Sequence, residues 1–196
     1  MTANRLATPS DFSLEGHLLV AAPAWESKLF NRSVCLVVHH SPEGAVGVFL
    51  NRCVDFDTGV LWQQLTGSGA LSKHAAIHFG GPQSGPVVAV HNRADLAEYT
   101  SGEGVYFAAQ LPHLQQLLKL SDNAAELKII VGQADWPAGE LDEQFRAGHW
   151  LPLPVLPKLV FADGSRMWAQ AIREVGNRVV ASMTGAHGQP HDILSN

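Results

Sequence analysis

The clearest pattern in this sequence is a pair of nearly all-apolar segments joined by a short turn. Residues 33–40 and residues 45–51 have the composition of strands that are covered on both faces. Pro42 stands between them at the second position of a turn, where its fixed φ suits a type I or II turn. The pattern predicts a β-hairpin, in which Gly44 and Gly47 indicate a bulge or a close backbone approach.

The rest of the chain predicts short strands and helices in an irregular order. Strands are predicted at residues 16–23, 76–79, 86–91, 127–132 and 179–183, with edge positions for 105–108 and for the proline-containing segment 150–157. Helices are predicted at residues 58–66, from Pro112 to about 120, from Pro137 to Gly148, and over 164–175 with Gly176 at the end. Because these elements show no regular βαβ alternation, we expect an α+β fold with a mixed, mostly antiparallel sheet flanked by helices.

Composition limits the class of protein. The chain has 196 residues, of which 46% are hydrophobic and 16% charged, so we expect one globular domain over 1–196. Its core should lie at about 14–183, between a loose N-terminal end and a C-terminal tail. The formal net charge is −5 and the 13 basic residues are scattered. This distribution argues against nucleic acid as a partner, because nucleic-acid binding surfaces concentrate positive charge.

Two further features concern the compartment. No apolar run approaches the roughly 20 residues that a membrane-spanning helix needs, so we expect no membrane segment. Cys35 and Cys53 do not form a CxxC pair, and this usage is ordinary in a reducing compartment. We therefore expect a cytoplasmic protein.

Four glycine-rich and apolar segments, taken in their order and spacing, resemble the YqgE/AlgH family of uncharacterised bacterial proteins. The resemblance covers about residues 14–180. The segments are Gly16-x-Leu18-Leu19-x-Ala21-x-Pro23; Phe30-x-Arg32-Ser33-Val34 with His40 and Gly44-Ala45-Val46-Gly47-x-x-x-Asn51; Gly80-Gly81-Pro82 with His91; and Gly132-x-Ala134-x-Trp136-x-x-Gly139-x-Leu141 with Trp150.

The resemblance implies a fold and leaves the activity open. It implies an α+β fold with a bifurcated sheet, which contains a small closed barrel and is flanked by helices. It implies no established reaction, although members have been linked to transcriptional regulation. The chain departs from the family pattern at polar positions, where its functional groups differ from those of the family. These positions are His39 in place of Glu, Gln133 in place of an aromatic residue, Asp135 in place of Gly, Glu140 in place of Gln, and Asp142 in place of Glu.

The candidate binding residues stand at predicted strand ends beside glycine-rich turns. His40, Asn51 and His91 could meet in one cleft, where the two imidazoles could act as general base and hydrogen-bond donor. Alternatively, each side chain satisfies backbone groups that the neighbouring turn leaves free. Gly80 and Gly81 could present backbone N–H groups to an anion, or form a tight turn in close packing.

Other polar and aromatic patterns are weaker. Trp136 could be a recognition surface, although a tryptophan in this position is more often a packing anchor. His74 and His78 have i, i+4 spacing, but His78 falls in a predicted strand and the chain has no HExxH motif. We therefore predict no metal site and no cofactor.

Three functional hypotheses remain open from the sequence. The first is a non-enzymatic regulatory or interaction protein that binds an unknown protein or small molecule. The second is an enzyme, for example a hydrolase, with a cleft around His40, Asn51, Gly81 and His91. The third is a DNA-binding transcriptional regulator. The first is favoured because glycine, proline and apolar residues carry most of the family resemblance, and these residues build backbone shape.

Overall fold

A computed structural model describes residues 13–54, 63, 65, 77–120 and 127–184 of the chain. Within these residues, helices surround two five-stranded sheets, and the α+β prediction is confirmed. No helix in this part of the chain combines the length and the hydrophobicity needed to cross a bilayer. The predicted helix at 58–66 and His74 lie largely or wholly outside the described residues.

The first sheet is antiparallel throughout and contains the predicted hairpin. Its strand order is β10-β1-β2-β3-β9, so β10 lies at an edge as predicted for 150–157. The β2–β3 register shifts between Val37 and His39, which places the predicted bulge in the hairpin. The strands are β1 (His17–Ala21), β2 (Val34–Ser41), β3 (Gly44–Phe49), β9 (Ala134–Pro137) and β10 (Trp150–Pro154).

The second sheet is mixed. Its order is β4-β8-β5-β7-β6, in which only the β4–β8 pair among these strands is parallel. The predicted edge strand at 105–108 is instead paired on both sides as β7, because Tyr99 and Thr100 form the edge strand beside it. The strands are β4 (Ile77–Phe79), β5 (Val88–His91), β6 (Tyr99–Thr100), β7 (Tyr106–Ala108) and β8 (Leu127–Val131).

Four α-helices and a short 3-10 turn (Ala94–Leu96) pack around the sheets in the described residues. Met167 and Ala171 of α4 are buried against residues from both sheets, whereas the leucines of α1 cover another cluster in the second sheet. A third, aromatic cluster includes Leu141 of α2. The helices are α1 (Leu111–Leu120), α2 (Glu140–Arg146), α3 (Pro157–Val160) and α4 (Gly164–Met183).

A crossing of glycine-containing segments joins the two sheets. The N–H of Phe49 in β3 donates to the carbonyl of Gly80 (2.9 Å), and the N–H of Gly80 donates to the carbonyl of Val131 in β8 (2.7 Å). Gln83 and Gln133 exchange two backbone hydrogen bonds of 3.0 Å. The chain then passes from β8 in one sheet to β9 in the other through Gly132, whose φ is 76°.

The small closed barrel that the family resemblance implied is not present in the described residues. Both sheets have two free ends in their strand order, so neither closes on itself. At the glycine crossing the chain passes from one sheet into the other, so the sheets branch there and the strands do not complete a ring. The bifurcated arrangement is therefore correct, and the barrel is not.

Two helix predictions were wrong for identifiable reasons. Pro137 ends strand β9 rather than opening a helix, and α2 begins at Glu140 after Gly139, which has a φ of 76°. The helix predicted at 164–175 continues through Gly176 to Met183, so the predicted strand at 179–183 does not form. A glycine stops a helix when the backbone turns left-handed there, and the backbone at Gly176 stays helical.

We predict opposite effects of the same substitution at two glycines. Gly176→Ala should raise the free energy of unfolding by about 0.5–1 kcal/mol, because alanine favours a helix interior and the site is open. Gly80→Ala should lower it by several times that amount, because a methyl group there would overlap the carbonyl of Gly132. Urea unfolding of both variants measures the changes, and equal effects at both sites would contradict the structure.

Candidate functional site

His40 lies near the end of β2 with only 6% of its side chain exposed. The N–H of Leu14 donates to its Nδ1 (3.0 Å), and its Nε2 lies 3.4 Å from Oδ1 of Asp142 in α2. Because Nδ1 accepts the hydrogen bond from Leu14, the neutral ring carries its hydrogen on Nε2, near the Asp142 carboxylate. Both ring nitrogens thus join parts of the scaffold: the segment before β1 and the start of α2.

A carboxylate next to His40 links the two sheets. The hydroxyl of Tyr99 in β6 donates a hydrogen bond to Oε1 of Glu15 (2.7 Å). The other oxygen, Oε2, lies 3.2 Å from Nδ1 of His39 and accepts a hydrogen bond from the backbone N–H of His40. The hydrogen bond from Tyr99 lowers the pKa of Glu15. Burial, reinforced by Glu15, raises the pKa of Tyr99 to about 12. Sequence reasoning missed Glu15 and Tyr99, although the departure at His39 pointed to this end of β2.

Asn51 lies at the other end of β2. Its Oδ1 accepts from the N–H of Val34 (2.9 Å), and its Nδ2 donates to the carbonyl of Arg32 (2.8 Å), whose φ is 54°. The side chain therefore satisfies backbone groups where the chain turns into β2. Val34 and His40 are six residues apart in an extended strand, or roughly 20 Å, so Asn51 and His40 do not share a cleft.

His91 belongs to the second sheet and is 1% exposed. Its Nδ1 accepts from the N–H of Arg93 (3.2 Å), whereas Nε2 is buried without a hydrogen-bond partner in the described part of the chain. Burial lowers its pKa to about 4, against the opposing effects of Asp95 and Glu98. At that pKa the ring is neutral at pH 7.

The glycine pair is a packing contact. Added methyl groups at Gly80 and Gly81 would overlap the backbone of Gly132 and Gln133, respectively. The N–H of Gly80 already donates to Val131. The pair therefore allows close approach at the sheet crossing, and its first N–H group is not available to an anion.

Trp136 is 2% exposed and belongs to the aromatic core. Its Nε1–H and that of Trp150 both donate to Oε1 of Gln144, at 3.0 and 2.9 Å. Nε2 of Gln144 in turn donates to Glu140 (2.9 Å). The side-chain amide of Gln144 thus satisfies the N–H groups of two buried indoles, and Trp136 is a packing anchor. Gln144 was missed because a helical glutamine carries no signal in a single sequence.

The six candidate residues are therefore distributed over the scaffold. His40 and Asn51 lie at opposite ends of β2, the glycines lie at the sheet crossing, and Trp136 is in the aromatic core. His91 lies in the second sheet. Among the residues that the structure describes, no group of three or more His, Cys, Asp or Glu side chains could hold a metal ion.

An exposed surface that the sequence did not predict lies on α4. Val179, Val180 and Met183 are 46%, 59% and 81% exposed in the distal half of α4, defined as residues 176–183. On another side of α4, α3 and α4 form a groove of about 330 Å³, lined by Lys158, Leu159, Gln170, Arg173, Glu174 and Asn177. The sequence analysis missed this surface because it ended the helix at Gly176.

A second buried histidine, His78 in β4, is 6% exposed, and its Nδ1 is buried without a hydrogen-bond partner among the described residues. Burial, together with the charge of Lys128, lowers the pKa of His78 to about 4. Both His78 and His91 thus have folded-state pKa values well below 6.5, the value expected in the unfolded chain.

These two histidines predict a specific pH dependence of stability. Between about pH 6.5 and pH 4 the unfolded chain binds more protons than the folded one, so the free energy of unfolding falls as the pH falls. Each histidine should account for about 1–2 kcal/mol between pH 7.5 and pH 5. Urea unfolding across this range should show a flatter profile for His78→Asn and for His91→Asn than for wild type. Parallel profiles would contradict the assignment.

Comparison with known proteins places this arrangement in a family. The UPF0301 protein of Chlorobium luteolum is 30% identical over 166 residues, which cover 82% of this chain and 85% of that protein. The UPF0301 protein Smlt1098 of Stenotrophomonas maltophilia is 31% identical over 170 residues, covering 84% and 90%.

Two solved structures are similar in fold. Protein DIP2367 from Corynebacterium diphtheriae has a TM-score of 0.67 and 26% identity, covering 89% of this chain and 94% of that one. The solution structure of the AlgH protein from Pseudomonas aeruginosa has a TM-score of 0.66 and 22% identity, covering 95% and 100%. The AlgH-like family DUF179 matches residues 18–180, and the chain belongs to this family.

Proposed function

We propose that this chain is a non-enzymatic interaction protein, whose protein partner binds the distal half of α4. The observation that carries the proposal is the exposure of Val179, Val180 and Met183 on a helix that continues beyond its buried part. Upstream, Met167 and Ala171 are fully buried against both sheets, so the helix is held firmly at one end. Its distal half presents apolar side chains on a preformed helix.

The apolar side chains have the spacing of helix-mediated recognition. Val179 and Met183 are four residues apart and lie on one face, with Val180 beside them. Helices that bind in an apolar groove of a partner use anchors at this spacing. Val175 is packed against the core one turn before Val179, so the exposed face continues a buried one.

Charged side chains at the groove between α3 and α4, on another side of the same helix, indicate the chemistry of the partner. Lys158 and Arg178 each lie 3.5 Å from Glu174, and Arg173 lines the same groove. Lys158, Arg173 and Arg178 thus outnumber the single carboxylate of Glu174 at this groove. A partner that combines an apolar groove with acidic residues would complement both features.

The geometry of the candidate residues supports an interaction protein over an enzyme. The cleft hypothesis needs His40, Asn51 and His91 around one space, and their hydrogen bonds hold them at separate places in the fold. The DNA-binding hypothesis needs a large concentrated positive surface, whereas the chain carries a net charge of −5 and two cations of the α4 groove lie beside Glu174. We therefore favour a protein as the partner.

We also propose a cytoplasmic location. The support is that Cys35 and Cys53 are both free, one buried and one exposed, and an exposed free thiol is ordinary where the compartment is reducing.

The proposal predicts that polar substitutions on α4 weaken partner binding, whereas a matched substitution on α1 does not. The partner is first identified by capture on the immobilised protein, and its affinity is then measured with purified components. Val179→Ser combined with Met183→Ser should weaken binding about tenfold or more, because two apolar anchors are lost. Leu120→Ser, at a residue 48% exposed on α1, is the control and should leave the affinity unchanged.

Two results would contradict the proposal. One is unchanged affinity of the α4 double variant for the purified partner. The other is turnover of a defined metabolite that His40→Ala or His91→Ala abolishes while circular dichroism shows an intact fold.

A further inference from the structure

Three groups with reactive or titratable side chains come together where the chain leaves β3 and packs against β4. Cys53 pairs with His78 across an antiparallel bridge, flanked by hydrogen bonds from Val54 to Ile77 and from Phe79 to Arg52. The two residues are therefore cross-strand neighbours with side chains on the same face. None of these groups takes part in the α4 surface, so this site is independent of the proposed function.

Sheet register brings Lys128 to the same face. His78 pairs with Ile130 in β8, and Lys128 precedes Ile130 by two residues, so the alternation of side chains places Lys128 and His78 on one side of the sheet. Lys128 interacts electrostatically with Cys53, His78 and Asp163. Cys53, His78 and Lys128 thus form one cluster, which we name the Cys53 cluster.

Lys128 is unusual because its residue is only 6% exposed. Its Nζ donates to the carbonyl of Ala162 (3.3 Å), and a lysine ammonium has three hydrogens to donate. Burial lowers the pKa of the amine, which increases the fraction of neutral, nucleophilic amine. A lysine of this kind is available for chemistry that an exposed lysine, fully protonated at pH 7, performs poorly.

His78 supplies a second independent feature of the cluster. The residue is 94% buried, and its Nδ1 has no hydrogen-bond partner within the described part of the chain. The ring also forms a hydrogen bond with the backbone of Arg52. Since its low pKa keeps the ring neutral at pH 7, the free nitrogen offers a lone pair that can accept a proton beside Cys53 and Lys128.

We propose that Cys53 is a peroxide-sensitive modification site, at which oxidised Cys53 forms a covalent S–N bond with the side-chain amine of Lys128. In the first step the thiol and hydrogen peroxide give a sulfenic acid and water, so sulfur loses two electrons and peroxide gains them. In the second step Nζ attacks sulfur, the S–O bond breaks, and the hydroxide leaves as water with one amine proton. His78 relays that proton from the amine to the departing hydroxide.

The bond would have a structural consequence. It would tie the segment after β3, which belongs to the first sheet, to β8 in the second sheet, across β4. No further oxidant is needed after the first peroxide, and a thiol reductant would restore both side chains. Cys35 provides an internal comparison, because it is fully buried and burial raises the pKa of its thiol.

The test uses the reduced full chain and hydrogen peroxide. Intact mass should fall by two hydrogen atoms in wild type, and dithiothreitol should reverse the change. Tryptic mapping should find the peptide that begins at Cys53 joined to a peptide in which Lys128 is uncut. Cys53→Ser and Lys128→Met should abolish the product, Cys35→Ala should keep it, and His78→Asn should slow its formation about tenfold or more.

Several results would overturn the proposal, and the wild-type measurement alone can give them. These are the absence of any product with peroxide, sulfenic or sulfinic acid on Cys53 without a link to Lys128, a bridge that retains oxygen, and a disulfide between two chains. Loss of the product in Cys35→Ala would also contradict it, since the buried thiol would then be the reacting one. None of these outcomes bears on binding at α4, so the two proposals are separable.

Discussion

The rest of the fold depends on the close backbone contact between Gly80–Gly81 and Gly132–Gln133. This contact lets β3 of one sheet bond to the chain after β4, and lets the chain cross from β8 into β9. A side chain at either of the first two glycines would overlap the opposite backbone. The constraint is steric, so it explains why glycine stands here and why the sheets branch instead of closing.

Around this crossing, polar side chains are used to hold segments in place. His40 joins the N-terminal segment to α2, Asn51 shapes the entry to β2, and Gln144 satisfies two indoles. Each engages a group that burial would otherwise leave without a hydrogen bond, which is costly in an apolar interior. His40 and Asn51 were candidates for chemistry in the sequence, and in the structure both hold the scaffold together.

Sequence alone predicted most strands, because alternation and buried apolar runs are local signals. The hairpin of β2 and β3 and the edge position of 150–157 followed from them. The predictions from sequence were wrong where tertiary packing determines the element. Gly176 continues a helix that is anchored by Met167, and Pro137 ends a strand in which it pairs with Gly44. The candidate site residues were chosen from their residue types at predicted strand ends. The distances between them depend on the sheet topology, which no local sequence pattern encodes.

Among the polar residues of the family motif, His40 and Asn51 contact the scaffold through both polar ends of their side chains, and the ring of His40 offers the most direct test. Nitrogen-15 NMR of its imidazole ring, recorded where the ring is neutral, distinguishes the two tautomers. We expect a single tautomer with hydrogen on Nε2 and a lone pair on Nδ1, because the N–H of Leu14 donates to Nδ1 and Nε2 faces Asp142. Hydrogen on Nδ1, or averaging between both tautomers, would show a ring free of these partners and would contradict its role in the scaffold.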